Sequence, residues 1–361
     1  MIDSTYQLIS YIIGYIVLFL ICFLAGYRQE LVFILEFRKV KQLLRHLEKM
    51  EAEFKELFEK EFARLGVLEE AKQIYARLSD FFVIPPEESD PVGSIHRLKH
   101  VLDVAGQHIE REVNSLLASK DDESKATVKQ VFLEASRLSR VCKLVRHLYL
   151  TAVKSKNLTG LVQALSQLPF LKITAERSFN ILKCYLQDPK QPVGYGLGPL
   201  VAKTLMENAE KVEVKKGAVI AEKTLNGKRA VIIRPRGPGA RTEEDAGETL
   251  LEEVRRLKNP SIVLISAQPK LKGENGVVVA QGVGVAATYE PLKFELESIA
   301  TRKKLPLISV LVKLTSEELS SRIDHDLQNL IKDVLESLEN SIKSLSEPIV
   351  IAGLGNSFMI P

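Results

Sequence analysis

IVIAGLGN, residues 349–356, reads as a buried β-strand that runs directly into a glycine turn ending in an amide. In an open α/β sheet such a turn leads into a helix, yet residues 357–361 are too few to form one. Far upstream, GYGLGP, residues 194–199, is the missing complement: a glycine turn that opens a helix with no strand in front of it. Each is half of a strand–turn–helix unit. The last strand is therefore expected to lie beside the helix that begins near Leu200, with the two turns forming one pocket.

Outward from these halves the segments alternate. The pattern predicts helices over 200–208, 243–257 and 316–345, and strands over 218–222, 229–234, 261–266, 307–313 and 349–353. Short β-branched runs separated by amphipathic helices predict a C-terminal three-layer α/β domain with a mainly parallel sheet over 188–361. Prolines and glycines concentrate over 188–199, which marks its start.

Upstream the texture is helical. Apolar periodicity predicts helices over 94–117, 125–154, 159–168 and 174–186, an all-α middle domain spanning 84–187. It opens at Pro85-Pro86, which forbids helix. Before it, 28–83 reads as a long amphipathic stalk whose stripe is Val40, Leu43, Leu47, Met50, Phe54 and Leu57. Two readings stand: the stripe packs on the chain's own later helices, or it forms a parallel coiled-coil homodimer through 40–57.

Residues 8–27, LISYIIGYIVLFLICFLAGY, carry no charge and would extend about 30 Å as helix, the thickness of a bilayer core. The expectation is a single N-terminal transmembrane helix, with 1–27 as the anchor. A cleaved signal peptide would need a basic n-region, and Asp3 is the one charge that precedes the run. Basic residues follow it, Arg28, Arg38, Lys39 and Lys41 first, which places the N-terminus outside the cell membrane and the bulk of the chain in the cytoplasm.

Composition narrows the function. A net charge of +4 from 50 basic and 46 acidic residues gives no field for nucleic acid. Cys22, Cys142 and Cys184 lie too far apart for a disulfide framework or a zinc cluster. No nucleophile elbow, Walker sequence or paired CxxC is present, and no cofactor or metal is predicted. His96 and His100, four apart with Asp103 nearby, share a helical face, but no Glu follows His96 as a zinc protease requires. His325, between two aspartates, reads as an exposed charged turn.

Ligands of parallel sheets bind beyond the carboxyl ends of the strands, so those loops hold the candidates. RPRGPGAR, residues 234–241, offers Arg234, Arg236 and Arg241 as an anion clamp around Gly237 and Gly239. A second glycine loop, 273–287, contains Gly282, Gly284 and Ala287 in G-x-G-x-x-A spacing. Tyr289-Glu290-Pro291 cuts short the helix a dinucleotide would need, and a small-residue helix packed on the sheet is the expected outcome. At the paired half-units, Gly194, Tyr195, Gly196, Gly198, Gly353, Gly355 and Asn356 are the candidate ligand contacts.

GYGLGP, RGPGA and AGLGN, set behind a helical middle and an apolar N-terminus, resemble an archaeal membrane-anchored family of uncharacterised function, domain of unknown function 1512. That resemblance spans nearly the whole chain and implies no activity. More distantly, the C-terminal part is similar to hydrogenase-maturation and spore-germination proteases, with the pieces permuted. Those enzymes carry acidic residues where this chain has Tyr195 and Ser266, which cannot hold a metal as two carboxylates would. The expectation is a membrane-anchored cytoplasmic protein that binds a small anionic ligand or a partner without chemistry of its own. A hydrolase in the same fold and a coiled-coil scaffold are the alternatives.

Overall fold

The computed structural model describes residues 2–80, 91–118, 120–155, 158–187, 192–215, 217–237, 242–271, 273–274, 278–322, 325–356 and 360. Ten helices and seven strands occur among them, in two compact units. One unit comprises residues 1–53 and 138–175, the other 54–137 and 176–361.

The first unit is helical. It contains most of α1 (Ile2–Leu65), the second half of α4 (Asp122–Ser155) and the first part of α5 (Leu158–Gln187). Val40, Leu43, Leu47 and Met50 of the α1 stripe are buried within the single chain. The Cys142 thiol of α4 reaches the Leu47 carbonyl at 3.9 Å, Arg146 pairs with Glu48, and the Tyr149 ring stacks on Phe37 at 5.0 Å. These contacts run in opposite directions along the two helices, so α4 covers α1 antiparallel.

The expected transmembrane helix is corrected here: among the described residues, no helix is long and apolar enough to cross a membrane. The 8–27 run lies inside a single helix of 64 residues.

In the second unit α1 ends on Phe54, Phe58 and Phe62, which pack edge and tilt contacts with Phe132 of α4 and with Tyr75 of α2 (Leu68–Ser79). Gly66, at φ +77°, makes the turn between α1 and α2. α3 (Pro91–Leu116) follows, and its Lys99 pairs with Glu248 of α7 (Thr242–Arg256). The two helices expected at 159–168 and 174–186 are one element, α5, which passes through Pro169. The Ile84–Pro91 turn lies outside the described residues except for Pro91.

The sheet has seven strands in the order β1-β2-β3-β7-β4-β6-β5. They are β1 (Lys211–Lys215), β2 (Ala218–Leu225), β3 (Lys228–Pro235), β4 (Ser261–Pro269), β5 (Val278–Val283), β6 (Leu307–Leu314) and β7 (Ile349–Gly353). Parallel pairing joins β3, β7, β4 and β6, while β1, β2 and β5 pair antiparallel at the two edges. The expected mainly parallel sheet is thus a mixed one. Asn226 and Gly227, both at positive φ, close β2–β3 as a tight hairpin, the geometry that matches strand twist. β5 replaces the expected small-residue helix, because its β-branched residues find a free edge on β6.

Helices cover both faces. α6 (Leu197–Met206) and α10 (His325–Lys343) share one core with Val219, Ile232, Ile265, Val310 and Ile351. α7 and α8 (Glu290–Lys303) share the other with Ile233, Leu264 and Val350. The short α9 (Ser316–Ser320) begins with a reciprocal cap between Thr315 and Glu318. Lys228 of β3 sends its ammonium to the Ile342, Lys343 and Leu345 carbonyls and so closes the exit of α10.

Candidate functional site

The two glycine turns meet. Gly194–Gly196 form one 3₁₀ turn that feeds α6, and the turn after β7 lies against it. The Asn356 amide N–H donates to the Tyr195 carbonyl at 3.0 Å, and the Leu354 N–H donates to Ile265 of β4 at 2.8 Å. α6 therefore starts at the carboxyl ends of β7 and β4, where a helix following β7 directly would start.

The glycines make this approach possible. A Cβ at Gly198 would collide with the Leu354 and Ile265 carbonyl oxygens, and one at Gly353 with the Gly198 carbonyl. Gly355 sits at φ +138°, and a Cβ there would strike the Tyr195 carbonyl, so the position is barred to other residues on both counts. A Cβ at Gly196 would lie 2.7 Å from the Asn356 carbonyl oxygen, and one at Gly194 would strike Glu318. The space these residues save is taken by backbone, so their role is to join two turns.

The side chains at the joint come from both turns and from α5. Asn356 donates its amide to the Tyr185 phenol at 2.7 Å. Tyr185 is buried, and loss of hydration pushes its phenol well above the ordinary range. Arg177 stacks its guanidinium over the Tyr195 ring, Cζ 4.0 Å from the centroid. Burial raises the Tyr195 phenol and the Arg177 charge opposes that shift. Asn180 reaches the Ser320 hydroxyl at 3.1 Å, and the Cys184 thiol the Ser320 carbonyl at 3.8 Å. Positions 177, 180, 184 and 185 recur at helical spacing, so one face of α5 carries all these contacts. Behind it, buried Glu134 accepts from Ser178 at 2.7 Å and pairs with Arg137 at 2.5 Å.

The arginine loop is arranged differently. Arg234, at the end of β3, is buried, and its guanidinium turns to the chain's own Pro235, Arg236 and Ile360 carbonyls. Lost hydration lowers its pKa. Gly237, at φ +118°, also approaches the Ile360 carbonyl, so this corner holds residue 360 in place. Arg236 is exposed. Gly239 and Arg241 lie outside the described residues.

Of the other candidates, His96 and His100 are both exposed, and the His325 side chain is outside the described set. No group of three metal-ligating side chains occurs among the described residues. Ser266 is buried in β4 and accepts a long hydrogen bond from Gln268. Sequence reasoning missed Arg177, Tyr185 and Glu134. The signal for the first two was the polar set at three- and four-residue spacing in an otherwise apolar helix.

A helical region joined to a three-layer α/β sandwich, its strand-end turns tied together by glycines, defines the class. The chain belongs to the family described as Protein of unknown function (DUF1512): the N-terminal domain matches residues 14–184 and the C-terminal domain residues 193–361. Among curated proteins none matches it.

Proposed function

We propose that the chain is a binding protein for a small anionic ligand, seated at the joint between the 194–198 and 353–356 turns, without chemistry of its own. The observation that carries this is the Asn356–Tyr195 link, which converts two separated half-motifs into one loop cluster. That cluster stands at the carboxyl ends of β7 and β4, where open parallel sheets hold ligands. The glycines fix the cluster from behind, leaving Tyr195 and Asn356 as the oriented polar groups. Arg236, exposed beyond the neighbouring β3, supplies further positive charge.

A thermal-shift screen of the full chain against sugar phosphates, nucleotides and dicarboxylates tests this. At least one compound is expected to raise the melting temperature of the wild type and to lose that effect in Tyr195→Ala. A screen without any such compound, or hits indifferent to the substitution, sinks the proposal.

The second reading is a hydrolase related, by permutation, to the hydrogenase-maturation and germination proteases. It draws support from α6 lying beside β7 and from Ser266 standing on the strand next to that turn. Tyr195 and Ser266 hold hydroxyls where that chemistry uses carboxylates, which weighs against it. Stoichiometric zinc, nickel or manganese in the purified chain, lost on Ser266→Ala, would favour this reading over the first.

A further inference from the structure

We infer that Arg177 of α5 and the phenol of Tyr195 together form the seat for an oxyanion, a phosphate or carboxylate group of the ligand. The inference rests on the joint being a binding site. It assigns the charge to a residue of the helical segment, outside the arginine loop.

Arg177 is a cation at this joint that, among the described residues, has no oxygen acceptor. Among the described residues it makes no hydrogen bond or ion pair, and its partner is the Tyr195 ring. Its Nε is buried without an acceptor. A buried N–H left without one costs about 1–3 kcal/mol, which a ligand oxygen accepting from it would recover. Arg137 is committed to the Glu134 carboxylate, and Arg234, whose Nε is also buried without an oxygen acceptor, already gives its Nη1 to backbone carbonyls.

Stacking settles the geometry. With its Cζ 4.0 Å from the ring centroid, the guanidinium is held against the tyrosine face by a cation–π contact, which leaves its N–H groups without an oxygen acceptor among the described residues. A fork so fixed matches the two oxygens of a carboxylate or phosphate and loses little entropy on binding. The Tyr195 hydroxyl makes no hydrogen bond among the described residues, and burial keeps it protonated, hence a donor. Its carbonyl accepts from the Asn356 backbone N–H, which ties the main chain beneath Arg177 to the turn after β7. Glu134 is near enough to be felt by Tyr195, but its charge is opposed by Arg137.

Isothermal titration of the full chain with inorganic phosphate, and separately with acetate, at constant ionic strength decides the matter. Saturable binding of one probe is expected. Its affinity should fall about tenfold or more in Arg177→Gln, in line with a charged hydrogen bond, and several-fold in Tyr195→Phe. Arg177→Lys, which keeps the charge and loses the planar fork, should fall between. The probe that binds tells phosphate from carboxylate. If Arg177→Gln and Arg177→Lys bind as the wild type does while Asn356→Ala does not, the joint binds a ligand but Arg177 is not its seat. If neither probe binds the wild type, the oxyanion seat is wrong, and the thermal-shift screen alone judges the joint.

Discussion

Two glycine-rich regions look alike in the sequence and behave as opposites in the fold. At the 194–198 and 353–356 joint, an added Cβ at any of the five glycines meets backbone. In the 273–284 loop, Gly273 and Gly284 face open space, and Gly282 is 3.9 Å from one leucine methyl. The first group exists to let two chain segments touch; in the second, Gly273 and Gly284 take positive φ where the chain turns, and Gly282 sits within β5. A glycine pattern has structural content only once the segment opposite it is known, and here that segment is more than 150 residues away.

Substitution at the joint should break this contrast most sharply. Gly198→Ala is expected to cost about 3 kcal/mol or more in urea unfolding, because two carbonyl oxygens must move. Gly353→Ala should behave likewise, whereas Gly282→Ala should stay within about 0.5 kcal/mol of the wild type. Equal effects at both places would erase the distinction.

The side-chain tie at the joint is weaker than its packing. Asn356→Ala removes the amide that serves the buried Tyr185 phenol and should cost about 1–3 kcal/mol by the same measurement. Glu134→Gln keeps an acceptor for Ser178 but drops the ion pair with half-exposed Arg137, and about 1 kcal/mol is expected.

The smallest effect is in alkali. The folded chain raises the Tyr185 and Tyr195 phenols above their unfolded range, so above about pH 10 the unfolded chain has already lost protons that the folded chain keeps. Unfolding then releases protons, and stability falls as pH rises, by at most about 1.4 kcal/mol per pH unit for each tyrosine. In Tyr195→Phe, urea midpoints between about pH 9 and 11 should decline less steeply than in the wild type.

Much of the α/β region was legible because its strands are short, apolar and β-branched: β3, β4, β6 and β7 lie close to their expected spans. The pairing of IVIAGLGN with GYGLGP was legible too, since each half lacks what the other has. β1 and β5 were not, because an exposed five-residue strand and a small-residue strand owe their form to a neighbouring edge rather than to their own periodicity. Nor was the continuity of α5 through Pro169, where tertiary packing outweighs a local breaker. The apolar run at 8–27 was read from hydropathy, which sees composition and not the 64-residue helix around it. Arg177 escaped because a lone arginine in a helix has no motif, and its meaning comes from the ring beneath it.

β7 follows every other strand of the sheet in the chain, yet it sits at the centre, between β3 and β4. During synthesis the β1-β2-β3 hairpins and the β4-β6-β5 group emerge first, each with a bare hydrogen-bonding edge and no partner for it. The two halves can be zipped together only when residues 349–353 leave the ribosome. Until then the nascent chain carries two sticky edges of buried-type sequence, the kind of surface that chaperones shield. A ribosome that stalls before residue 349 would leave two half-sheets ready to pair with the wrong neighbour.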